Sequence, residues 1–98
     1  MTTIQAATWL YVAIQKVGSS ERIVGQADAE LDVSFIPAFM NKESAQQAML
    51  HLQLEKQSTY EVQAIIYEDL ARYAAEGGFL IFVLDETGTV VARLPAAS

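Results

Sequence analysis

The hexapeptide FLIFVL, residues 79–84, is apolar at every position and stands between Gly77-Gly78 and the turn-forming DETG. Six residues are too few to span a bilayer, and their unbroken apolarity leaves no wet face. A strand covered on both sides suits such a run, and it becomes the expected centre of a sheet. The rest of the chain, or a partner, must supply that cover.

The neighbouring segments read as the remainder of one α+β unit. TWLYVAIQ (8–15) is rich in aromatic and β-branched residues, and the VGSS after it signals a hairpin whose return strand is ERIVGQ, to residue 26. ADAELD is polar enough for a loop, and VSFIPAF (33–39) reads as a third strand. Pro37 has no N–H to give a ladder, which predicts an edge or a bulge there. Phe35 and Phe39 fall on one face if the strand is regular.

Asn41 is placed to cap a helix running from Lys42 to about Glu55, with Glu43 in its first turn complementing the dipole. Ala45, Ala48, Met49 and Leu52 form its apolar stripe. YEVQAII (60–66) reads as strand four, and YEDLARYAAEGG (67–78) as a short helix ended by left-handed glycine. TVVARL closes a last hairpin with residues 79–84. The expected order is β-β-β-α-β-α-β-β in a single mixed sheet of five to six strands. Each strand-helix-strand unit should pair in parallel, and the two helices should pack mainly on one face. The opposite face of FLIFVL would then need other cover, for which a partner chain is one source.

At 98 residues the chain fits one domain, and 52% apolar residues against 18% charged describe ordinary globular order. Twelve acidic and six basic residues leave a net charge of −6, with the basic ones scattered singly. No patch that tracks phosphates can be assembled, which excludes nucleic acid and anionic membrane as partners. The absence of cysteine removes disulfides, thiolate metal sites and cysteine nucleophiles. The uncharged start lacks a basic n-region, and its apolar run at residues 9–14 is far short of a span, so a cytoplasmic location is expected.

No catalytic constellation emerges. His51 is the single histidine and lies on the polar side of the first helix. Asp28, Glu30 and Asp32 lack the glycine and distal glutamate of a calcium loop. Glu68 and Asp69 diverge by about 100° on a helix, so they suit helix-start electrostatics rather than acid–base chemistry. The DETG of LDETGTVV is a hairpin turn, with Gly88 where positive φ is needed. Neither a cofactor nor a metal is expected.

Leu50 and Leu54 are more informative, because they lie 140° to 180° from the apolar stripe of their helix by its period of about 3.6 residues. As a contact surface they would contribute about 3 to 6 kcal/mol if fully buried, no more than association costs. Trp9 and Tyr11 are the residues that could complete such a surface. A competing reading is a ligand cleft beside the first helix, lined by Tyr60, Tyr67, Tyr73 and carboxylates.

In order along the chain, WLYVAIQ, the FIPAF strand leading straight into NKESAQQAM, EVQAIIYEDLARYAAEGG, and FLIFVLDETG resemble the N-terminal domain of bacterial SseB-like proteins. The resemblance covers most of the chain, from Trp9 to Val91. It implies an α+β domain with no established catalytic activity and a role in interaction or regulation, and it carries no functional residue across. The short lead before the first strand, where many members carry a helix, and Asn41 in place of Thr or Ser, are departures from the family pattern. The expectation is a non-enzymatic domain acting on a protein partner or on a second copy of itself.

Overall fold

The computed structural model describes residues 4–51 and 58–94. Within them lie seven strands and two α-helices: β1 (Trp9–Val17), β2 (Ser20–Ile23), β3 (Gln26–Asp28), β4 (Val33–Ala38), α1 (Lys42–Ala48), β5 (Thr59–Ile66), α2 (Tyr67–Gly77), β6 (Leu80–Leu84) and β7 (Val90–Leu94). The class is α+β, as expected. The strands form two sheets rather than one, ordered β2-β1-β5 and β3-β4-β6-β7.

The division has a backbone cause. β1 gives one edge to β5 along its length and divides the other between β2 and Phe39, just past β4. Tyr11 and Phe39 exchange two backbone hydrogen bonds, at 2.8 and 2.9 Å, and these stitch the sheets together. On that side of β4, pairing with β3 ends at Phe35, so Pro37 falls between the last β3 pair and the bridge. Residues of one parity turn their main-chain groups to the same side, so the missing N–H of Pro37 coincides with this gap. β4 is thus an interior strand carrying a local edge, where a simple edge strand or a bulge was expected.

The expected pairing within each strand-helix-strand unit is also replaced. β4 and β5 belong to different sheets, as do β5 and β6. The parallel pair is β4 with β6, spanning α1, β5 and α2. The expected return strand to residue 26 ends at Ile23, and Gln26 joins Ala27 and Asp28, expected as loop, in the short edge strand β3.

β6 lies between β4 and β7, and Ile81, Phe82, Val83 and Leu84 are buried. Its cover comes from both helices, one on each face. On one face Ile81 clusters with Leu10, Val12, Ile36 and the α2 residues Leu70, Ala71 and Ala74. On the other, Phe82 and Leu84 cluster with Phe39 and the α1 residues Ala45 and Ala48. This corrects the expectation of helices on one face, and with it the need for a partner over β6. The alternation of side chains along β6 is what recruits a helix to each side. Phe35 stacks on Phe82 with ring centres 4.6 Å apart, and the Arg93 guanidinium lies 5.4 Å from the centre of the Phe82 ring.

Local chemistry sets the ends of the elements. Asn41 Oδ1 accepts the Ser44 N–H at 2.8 Å and caps α1, which tightens after Ala48 into a 3₁₀ turn, Met49–His51. α2 has no side-chain cap; its Tyr67 and Glu68 N–H groups donate to the carbonyls of Thr8 and Ala6. Gly78 ends it at φ 75°, as expected for a left-handed C-cap. No helix among the described residues is long and apolar enough to cross a membrane.

Candidate functional site

The hairpin β1–β2 and the pairing of β1 with β5 bring three residues into one cross-strand row. Gln15 stands opposite Arg22 on one side and Tyr60 on the other. Directly opposed residues project to the same face, so the row is set by register alone. Gln15 is 5% exposed, the one buried polar side chain among the described residues. Its Oε1 accepts from Arg22 Nε at 2.9 Å, and its Nε2 donates to Ser58 Oγ at 2.9 Å. Both ends of the amide are therefore satisfied, as burial requires.

This row forms part of a cleft of about 490 Å³, whose other walls include Gly25, Gln26, Ser34, Tyr73 and Phe79. Phe79 packs closely against two glycines: a Cβ on Gly25 would stand 2.5 Å from its Cε1, and one on Gly77 would stand 2.7 Å from its Cε2. A side chain at either place would force the Phe79 ring to shift. Arg22 is the sole charged residue among the described lining residues, and no carboxylate is among them. The cleft expected from the sequence thus differs in place and character. Tyr60 and Tyr73 line it, Tyr67 packs against the α2 core instead, and α1 contributes no wall.

The candidate contact residues fall as follows. Trp9 and Tyr11 alternate on one face of β1, opposite Ile66 and Ala64. Trp9 is 55% exposed, while Tyr11 is half-buried and packs against the cluster beneath α1. Leu50 sits in the 3₁₀ turn and is 85% exposed. Leu54 and Leu52 lie outside the described residues, and so does the His51 side chain.

Of the carboxylates singled out in the sequence, Asp28, Glu68 and Asp69 have structural partners. Asp28 Oδ1 accepts the N–H groups of Glu30 and Leu31 and folds the loop before β4. Glu68 and Asp69 lie 3.7 and 3.8 Å from the Arg72 guanidinium on the exposed side of α2. Asp85 accepts the Thr87 hydroxyl and the Thr87 and Thr89 N–H groups, which closes the β6–β7 turn, where Gly88 has φ 86°. The Thr87 hydroxyl and these backbone donors hold the Asp85 carboxyl below its ordinary pKa. No group of His, Cys, Asp and Glu able to hold a metal occurs among the described residues.

Sequence reasoning missed Arg22 and Gln15. One signal was present: the VGSS hairpin, with its two-residue loop, places Gln15 opposite Arg22 once the register is counted from the turn. The remaining walls come from separated parts of the chain. No family model matches the sequence, and no curated protein or solved structure matches it either.

Proposed function

We propose that the chain is a small non-enzymatic domain that acts by protein–protein contact, pairing with a second copy of itself along the outer edge of β5. The observation that carries this reading is the edge itself. β5 is eight residues long, ends the order β2-β1-β5, and contains no proline. Edge strands are ordinarily blunted by proline, bulges or exposed charge. Glu61 is the one charge on β5, and the Lys16 ammonium on β1 neutralises it. That ion pair, made first through the hydrogen bond to Lys16, holds the Glu61 carboxyl below its ordinary pKa.

Since Tyr11 and Ala13 turn their backbone groups away from β5, the β1 residues of opposite parity face it. On β5 the same alternation directs the main chain of Val62 and Ala64 outward. Two β5 strands running antiparallel about a two-fold axis would join a pair of three-stranded sheets into one of six. Trp9, one strand in from that seam, supplies exposed apolar surface beside it. Each backbone hydrogen bond contributes about 1 kcal/mol net, so a full seam only modestly exceeds the cost of association and gives a weak dimer. An interaction role of this kind is also what the SseB-like resemblance implies.

Sedimentation velocity from micromolar to millimolar protein tests the reading. The parent chain is expected to move from monomer to dimer, and Ala64→Pro to stay monomeric with unchanged circular dichroism. The proline removes an outward N–H and no bond to β1. A parent that remains monomeric throughout, or an Ala64→Pro chain that dimerises as before, would sink it.

A further inference from the structure

We propose that the cleft beside Arg22 binds a small planar carboxylate, with the guanidinium taking the carboxylate and the rings of Tyr60, Tyr73 and Phe79 taking the body. Charge is the first ground. The chain carries twelve acidic residues, yet none is among the described residues that line this cleft, and the one charged group among those residues is cationic. Arg22 forms no ion pair among the described residues, whereas Lys16 and Arg72 each meet two carboxylates. Among the described residues, an anion entering here meets a cation that no carboxylate has paired.

Preorganisation is the second ground. The Arg22 Nε is held by Gln15, and Gln15 is held by Ser58 and by burial. With Nε engaged, the two terminal nitrogens still present a planar pair of donors that matches a carboxylate edge. Fixing the side chain in advance reduces the entropy lost on binding. The register row also places Tyr60 in line with the guanidinium, across Gln15.

The size and walls set the rest of the ligand. About 490 Å³ lies in the usual range for small-molecule sites, and three aromatic residues give a flat body surfaces to pack on. One cation matches a monoanion. A phosphate dianion or a polyanion would keep uncompensated charge.

Titration with 2-naphthoate, followed by two-dimensional NMR of backbone and aromatic signals, provides the test. The expected result is saturable shifts at Arg22, Tyr60 and Tyr73. The neutral isostere 2-naphthamide should bind about tenfold more weakly or worse, since a charge-assisted hydrogen bond is lost. Arg22→Gln should bring naphthoate down to the level of the amide; because it also removes the donor to the buried Gln15 Oε1, a lowered melting temperature is expected, and naphthamide binding as in the parent is the check that the cleft still forms. Tyr73→Leu should weaken naphthoate and naphthamide alike. Inorganic phosphate should compete poorly. The proposal is overturned by an absence of saturable shifts at millimolar naphthoate, by equal affinity for acid and amide, by unchanged binding in Arg22→Gln, or by phosphate binding as tightly as naphthoate. None of these outcomes bears on whether β5 pairs with a second copy.

Discussion

Phe79 joins two turns that are distant in sequence. Its ring touches the backbone at Gly25, after β2, and at Gly77, at the end of α2, so close that neither position has room for a methyl group. The glycines are required here by contact, since neither has positive φ. Gly25→Ala is expected to cost about 1 to 3 kcal/mol, the usual penalty for overpacking a fitted site. Urea unfolding measures it, and a double-mutant cycle with Phe79→Leu checks the cause. A flexible leucine should relieve most of the Gly25→Ala penalty. If the penalty is the same in both backgrounds, the ring is not its origin.

At the scale of elements, the β6–β7 hairpin depends on one side chain. Asp85 gathers Thr87 and Thr89 around the turn, and its carboxyl is held below its ordinary pKa chiefly by the Thr87 hydroxyl. A carboxyl with a depressed folded pKa adds stability that is fully present above its unfolded value and disappears as pH falls through the folded one. Asp85→Asn is therefore expected to be less stable than the parent near neutral pH, with the difference closing in acid. Urea midpoints at a series of pH values read this directly. A difference that does not change with pH would show that the charge of Asp85 is irrelevant to the turn. α1 illustrates the opposite case, in which capping starts the helix but propensity does not extend it. Asn41 begins it well, and only seven residues later it narrows to a 3₁₀ turn that leaves Leu50 in water.

For the molecule as a whole, the bridge between Tyr11 and Phe39 makes two sheets one structure. Phe39 is fully buried, and Leu10, Val12, Ile36 and Ile81, drawn from both sheets, share a cluster. The amides of Tyr11 and Phe39 are expected to exchange with solvent only through global unfolding, at a free energy equal to that from urea titration. Faster exchange at either amide would mean that the sheets part before the core opens. Much of this plan was legible in the sequence. The two hairpins, the caps at Asn41 and Gly78, and the burial of residues 81–84 all follow from local pattern. The split into two sheets was not legible, because it depends on which distant strand meets β1 at Tyr11, and local periodicity carries no such information. The cleft was legible only in part: Tyr60 and Tyr73 were identifiable as aromatic surface, but their meeting with Arg22 depends on the packing of α2 and on strand register.

The one parallel pair among the described residues, β4 with β6, bears on the order of events in folding. The hairpin β1–β2 can close within a few residues, and β6–β7 likewise. β4 and β6 meet only by closing a loop of chain that holds α1, β5 and α2, and β5 must find β1 across about half of the chain. Ring-closure entropy has to be lost before those contacts return anything. The two hairpins should therefore form early and wait, and the rate at which this chain folds should be the rate at which its middle third finds its two places.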